Sequence, residues 1–116
     1  MRKTFRIKKP EEFQHVFNKH RSVANKYFIV YQMDKPEQKH FRVGLSVSKK
    51  IGKAHERVWV KRRIRQSLLE LKPELPQELD LLVIARPAAA HRSQKFLKSQ
   101  MIHVLKLAKI LKEENE

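Results

Sequence analysis

The chain has 116 residues, which is enough for one domain with a single modest core and too short for two. Its 27 lysines and arginines outnumber 12 aspartates and glutamates, and the formal charge of +15 predicts a polyanionic partner, with nucleic acid favoured over an anionic membrane surface. The absence of cysteine excludes disulfides and thiolate sites and fits a reducing cytoplasm, and no apolar run reaches the roughly 18 residues that would span a membrane.

The first predicted element is a short helix over residues 10–19. It begins with a proline and two glutamates, which suit the first turn and the positive end of the helix dipole. Phe13, Val16 and Phe17 fall on one face of this helix. From periodicity alone, ordinary core packing is favoured over a binding surface for the two phenylalanines.

The next segment, SVANKYFIVYQM at residues 22–33, is predicted to be extended. It is rich in aromatic and β-branched residues, which are enriched in strands. Alternation along one continuous strand would put Tyr27 and Tyr31 on one face, and Phe28 and Val30 on the other.

Residues 41–48, FRVGLSVS, follow a turn and alternate cleanly, which predicts a strand with one apolar and one small, polar face. The apolar face carries Phe41, Val43, Leu45 and Val47, and the other carries Arg42, Gly44, Ser46 and Ser48. A loop around Gly52 is predicted at residues 49–53.

The spacing then becomes helical over residues 54–72, with an apolar stripe of Val60, Ile64, Leu68 and Leu71. The apolar run at residues 80–85 predicts a strand buried on both faces. A last helix follows Pro87, with Leu97, Met101, Val104, Ala108 and Leu111 on its buried face. This order of elements predicts an α+β fold in which helices cover a mixed sheet.

The second long helix carries an unusual run of positive charge. Arg57, Lys61 and Arg65 are successive i, i+4 neighbours, and each like-charge pair costs a few tenths of a kcal/mol in an isolated helix. A solvated charged face is the ordinary interpretation of such a pattern. The unbroken charge and the +15 total favour a polyanion-binding surface instead.

RNA is favoured over DNA as that polyanion. A strand and a glycine loop precede the basic helix, which does not suit a helix-turn-helix reader of DNA. Aromatic side chains on the first helix and first strand region could stack unpaired bases, as RNA-binding proteins do. A nuclease acting alone is disfavoured, because the six histidines show no H-x-x-x-H spacing and no carboxylate pair is evident.

Five segments, RIKKPEEFQHVF, SVANKYFIVY, FRVGLSVSKKIGKA, RVWVKRRIRQ and LLVIAR, resemble in order and spacing the protein subunit of bacterial ribonuclease P. The most specific part is the basic helix, which is similar to the family pattern of Ala, two residues, Arg-Asn-x-Val/Ile-Lys-Arg, two residues and Arg. The residues that match it are Ala54, Arg57, Val60, Lys61, Arg62 and Arg65. Val58 stands where the family has asparagine, and Trp59 where many members have arginine.

The resemblance implies that residues 1–116 form a single RNA-binding domain. It implies a compact α-β sandwich with the element order αβββαβα and a left-handed β-α-β crossover. It also implies that the partner RNA carries catalysis, using Mg²⁺ to cut precursor tRNA at the 5′ end of the mature sequence, so no catalytic residue is expected in the protein. The sequence suggests no metal-binding residue.

The resemblance further implies two RNA-contacting sets of residues and one protein per RNA. Residues expected to bind the catalytic RNA subunit are Lys49, Lys50, Lys53, Arg57, Lys61, Arg62 and Arg65. Residues expected to hold the single-stranded 5′ leader of precursor tRNA are Phe13, Phe17, Tyr31, Ser46 and Ser48. The alternative is a structural or ribosome-associated RNA-binding protein with no role in cleavage, which needs no leader cleft.

Overall fold

The computed structural model describes residues 5–112 and contains a four-stranded mixed sheet. The strands are β1 (Ser22–Ala24), β2 (Phe28–Asp34), β3 (Arg42–Val47) and β4 (Leu79–Ala85). The helices are α1 (Pro10–Asn18), α2 (Ala54–Leu71) and α3 (Gln94–Leu107). The chain order is therefore α1-β1-β2-β3-α2-β4-α3, which confirms the predicted α+β class and element order.

The strands lie in the order β1-β2-β4-β3 across the sheet. β2 pairs with β1 and β4 in antiparallel fashion, whereas β3 pairs with β4 in parallel. Because α2 connects these two parallel neighbours, the basic helix is part of the crossover that returns the chain to the sheet.

The sheet separates two apolar clusters. The larger cluster joins the stripe of α2 and the buried face of α3 to strand residues such as Phe28, Val30 and Val83. The smaller cluster lies between α1 and the opposite face, where Val16 packs with Leu82. β4 contributes to both clusters, as its continuous apolar run predicted.

The extended segment at residues 22–33 forms two strands, β1 and β2, rather than one continuous strand. The Asn25 side-chain oxygen accepts hydrogen bonds from the backbone N–H groups of Tyr27 and Phe28, at 2.9 and 2.8 Å, and this turn reverses the chain. Tyr27 consequently precedes β2 and packs edge-on against Phe96 of α3, with ring centroids 5.0 Å apart. The prediction that Tyr27 shares a face with Tyr31 was therefore wrong.

The last helix is shorter than its apolar spacing predicted. It ends at Leu107, and Lys109 adopts a positive φ of 61°. The N–H groups of Ile110 and Leu111 both turn back to the carbonyl of Leu105. Leu111 is still buried, but it reaches the core from this turn rather than from the helix.

Candidate RNA-binding site

The loop before α2 presents three exposed lysines. Lys49 and Lys50 belong to a short 3-10 helix, Lys49–Ile51, and Lys53 precedes the first residue of α2. Gly52 joins them with a φ of 149°, and a Cβ atom there would collide with the carboxylate of Glu56. Glycine is therefore required for the path that brings the three lysines to the start of the helix.

Four further cations extend this charge along α2. Val60, Ile64, Leu68 and Leu71 are buried, whereas Arg57, Lys61 and Arg65 are partly exposed and Arg62 is exposed. The helix therefore packs through one side and keeps its cations at the surface, as its periodicity predicted. We call the seven cations Lys49, Lys50, Lys53, Arg57, Lys61, Arg62 and Arg65 the basic surface.

The cations of the basic surface form no ion pair with an acidic side chain within residues 5–112. Among residues 5–112, the ion pairs of acidic side chains involve Arg21, Arg42, Lys98, His55 and His91, and none of them involves the basic surface. Its positive charge is therefore left for a partner to neutralise.

The aromatic side chains of α1 lie over the opposite face of the sheet. A Cβ atom on Gly44 would come within 2.6 Å of Phe13 Cε1, so the missing side chain lets the helix approach β3 closely. Gly44 was not recognised as a site residue from the sequence, although an isolated glycine inside a strand is a signal of such an approach.

Phe17 packs on Tyr31 of β2, with ring centroids 4.9 Å apart and planes 33° apart. Phe17 is nonetheless 40% exposed as a residue, so one part of the ring packs and another faces solvent. The α1 helix therefore carries a buried residue, Val16, beside an aromatic pair that remains accessible.

Ser46 follows Gly44 on the same face of β3 and is exposed. It pairs in register with Ile84, which pairs in turn with Ile29, and both isoleucines are partly exposed. We call Phe13, Phe17, Tyr31 and Ser46 the aromatic surface. Ser48 lies beyond the end of β3, where its hydroxyl accepts a hydrogen bond from the N–H of Lys50 at 3.2 Å and caps the 3-10 helix.

The two surfaces meet at the outer edge of β3, which is the edge strand of the sheet. The N-terminal segment runs along this edge, where the Ile7 N–H donates to the Val43 carbonyl at 2.9 Å. Beside it lies a cavity of about 360 Å³, which we call the junction cavity. Its lining residues are Arg6, Ile7, Lys8, Phe13, Val43, Leu45 and Arg65. Arg65 thus links the basic surface to Phe13 of the aromatic surface.

Positive charge is concentrated in the junction cavity. Burial lowers the pKa of the Arg65 guanidinium, and the nearby charge of Arg6 lowers it further. An anion between these groups would relieve the repulsion. Arg6 and Lys8 were missed as site residues because the sequence shows their charge but not that they lie beside Arg65.

Within the described residues, no three histidine, aspartate or glutamate side chains come together as a group that could hold a metal ion. Over the same residues, no helix is both long and apolar enough to cross a membrane.

Comparison with known proteins decides the family. The family model described as Ribonuclease P matches residues 1–109. The chain belongs to the ribonuclease P protein family. It is similar to the Ribonuclease P protein component of Leuconostoc mesenteroides, with 98% identity over the whole of both chains, and to that of Leuconostoc citreum, with 78% identity over the whole of both.

A solved structure of this family agrees with the fold. The RNase P protein of Staphylococcus aureus superposes with a TM-score of 0.85 at 41% identity, covering 92% of this chain and 97% of that one. The three helices and mixed sheet are thus the fold of ribonuclease P proteins. Val58 and Trp59, the two positions of the basic helix at which the sequence departs from the expected pattern, are both exposed on α2.

Proposed function

We propose that this chain is the protein subunit of ribonuclease P, a cytoplasmic ribonucleoprotein endonuclease that removes the 5′ leader of precursor tRNA. The basic surface binds the catalytic RNA subunit, one protein to one RNA. The aromatic surface, together with Ser48 at its margin, holds the leader. The RNA supplies the reacting centre and its Mg²⁺, which activates the attacking water.

The observation that carries this proposal is the junction cavity. Arg65 of the basic surface and Phe13 of the aromatic surface line the same space, with Arg6 and Lys8 beside them. An RNA strand lying there has cations for its phosphates and aromatic rings for its bases. A protein that only binds structured RNA needs the first of these features and not the second.

The protein contributes binding and positioning. Cations of the basic surface replace the counterions of RNA phosphates, so binding is strongest at low salt. Unstacked leader bases contact the exposed part of the Phe17 ring, and Tyr31 packs against this ring and supports it. The Ser46 hydroxyl is free to donate to or accept from a base edge or a 2′-hydroxyl. A leader held in this way brings the cleavage site of the precursor to the RNA centre.

The test is cleavage of a labelled precursor tRNA by a bacterial ribonuclease P RNA, with and without this protein, at moderate Mg²⁺ and near-physiological salt. We expect cleavage at the mature 5′ end that requires RNA and increases with protein. RNA binding without enhanced cleavage would favour a structural or ribosome-associated RNA-binding protein. Cleavage by the protein alone would place the chemistry in this chain and contradict the proposal.

A further inference from the structure

The side of α2 away from Lys61 carries an exposed tryptophan. Trp59 and Lys61 flank the buried Val60 and therefore point to opposite sides of the helix. Trp59 is 56% exposed, more than the other exposed large hydrophobic residues within residues 5–112. The fold does not need this indole in its core, so its position calls for another explanation.

Trp59 borders a second cavity, of about 390 Å³, which we call the tryptophan cavity. This volume lies in the range of small-ligand sites. The cavity lies between α2 and the segment that precedes α3. Its lining residues are Ile51, Glu56, Trp59, Val60, Arg63, Ala90, His91, Arg92 and Ser93. None of the basic or aromatic surface residues is among them.

Two arginines from different elements line the tryptophan cavity. The Arg63 guanidinium lies 5.1 Å from the Trp59 ring centroid. Arg92 stands on the other wall, where its guanidinium lies over the Phe96 ring at 4.8 Å and its Nε donates to the Ala88 carbonyl at 3.4 Å. Packing on Phe96 and bonding to Ala88 hold Arg92 in place while leaving it exposed.

One acidic side chain lines the tryptophan cavity. The Glu56 carboxylate lies 3.7 Å from His91 Nε2 and 3.8 Å from His55 Nε2. These two contacts are ion pairs only when the imidazoles are protonated. Arg63 and Arg92 have no carboxylate partner among the ion pairs of residues 5–112. The cavity is accordingly lined by an exposed indole and two arginines, and this combination complements a nucleotide.

We propose that the tryptophan cavity binds one unpaired nucleotide of RNA. Its base stacks on the Trp59 indole, and its phosphates contact Arg63 and Arg92. The inference rests on the proposed function only in that the chain binds RNA. It adds a base-stacking site on the opposite side of α2 from Lys61, so the helix would hold RNA from two sides. A base stacked on the indole would cover its exposed face. The two arginines, which have no carboxylate partners, would donate charge-assisted hydrogen bonds to the phosphates.

Trp59 is the single tryptophan of the chain, so its fluorescence reports on this cavity alone. The experiment titrates the intact protein with the catalytic RNA subunit, with precursor tRNA and with heparin, a polyanion that has no bases. We expect one of the two RNAs to quench Trp59 and to protect it from acrylamide, and heparin to do neither. Quenching by the RNA subunit assigns the nucleotide to that RNA, and quenching by precursor tRNA alone assigns it to the substrate.

Variants separate stacking from mere proximity. Trp59→Ala should weaken binding of the quenching RNA by about tenfold with an unchanged salt dependence, and Trp59→Phe should retain most of the affinity. Arg63→Ala should instead make the slope of log K against log salt less steep by about 0.7–0.9. The control is Leu107→Ala, which truncates an exposed apolar side chain on a different helix, α3. It should change neither the affinity for RNA nor the slope of log K against log salt.

Equal quenching by heparin and RNA, or an unchanged affinity of Trp59→Ala for both RNAs, would overturn the inference. Thermal unfolding of each variant confirms that the fold persists. If the protein still enhances cleavage of precursor tRNA while Trp59 is neither quenched nor protected, the proposed function stands and this inference alone fails.

Discussion

Arg42 and Asp80 form a two-pronged ion pair between the parallel strands β3 and β4. Arg42 Nε donates to Asp80 Oδ1 at 3.1 Å, and Nη2 donates to Oδ2 at 2.7 Å. The Asp80 side chain is only 1% exposed. Arg42 Nη2 also lies 2.6 Å from Glu12 Oε2, so the same guanidinium ties α1 to the sheet. These bonds, with that to Asp80 the strongest, raise the pKa of Arg42 above its ordinary value.

Replacing Arg42 should destabilise the fold severely. Arg42→Met leaves the Asp80 carboxylate buried without a partner, and removing one member of such a pair costs about 3 kcal/mol or more. Urea denaturation measures this as a lower midpoint at an unchanged slope. The matched control is Arg21→Met, which breaks the exposed pair with Asp34 and should cost less than about 1 kcal/mol. Equal losses in the two variants would contradict this account.

Gly44 should matter for the leader more than for the RNA subunit. The added methyl of Gly44→Ala meets the Phe13 ring, and α1 must shift or the ring must turn. We expect weaker discrimination of precursor from mature tRNA, measured by competition binding, with RNA-subunit affinity nearly unchanged.

Gly52→Ala supplies the reciprocal control. It strains the loop of the basic surface, since φ is positive there and the methyl meets Glu56. It should therefore lower RNA-subunit affinity and spare discrimination. The same pattern in both glycine variants would mean that the two surfaces do not act separately.

Lys61→Ala and Arg65→Ala should weaken binding of the RNA subunit more than they weaken leader selection. If each removes one phosphate contact, the slope of log K against log salt becomes less steep by about 0.7–0.9 per variant. Filter binding over a salt series measures this slope. Lys26→Ala removes an exposed lysine from the turn between β1 and β2 and should leave the slope unchanged. A comparable loss with Lys26→Ala would mean that net charge, rather than the basic surface, governs binding.

The sequence predicted the parts of the fold that depend on local periodicity. The stripe of α2 and the apolar run of β4 gave element bounds within one residue of those observed. The sequence did not predict features that depend on contacts between residues far apart in the chain. The turn at Asn25 is held partly by a hydrogen bond from its Nδ2 to the Gln100 carbonyl, 75 residues away. No local sequence pattern indicates this hydrogen bond.

The candidate site likewise has one part that could be predicted from the sequence and another that could not. The four cations of the basic surface on α2 follow from their spacing along one helix, whereas its three loop lysines were named from the family resemblance. The junction cavity depends on the N-terminal segment running along β3, which brings Arg6 and Lys8 to Arg65. The close approach of Phe13 to Gly44 likewise needs the packing of α1 on the sheet.

Phe17→Ala should reduce discrimination for precursor over mature tRNA by ~1–3 kcal/mol if a leader base stacks on this ring. The physical reason is that Phe17 is 40% exposed and rests on Tyr31, so its accessible part offers a supported stacking surface. Affinities for the two tRNAs, measured with the assembled ribonucleoprotein, give the difference directly. Leu69→Ala is the matched control, because Leu69 is 39% exposed, nearly as much as Phe17, but lies on α2. Equal effects of Phe17→Ala on both tRNAs, with stability unchanged, would remove Phe17 from the leader-binding surface and leave only its packing on Tyr31.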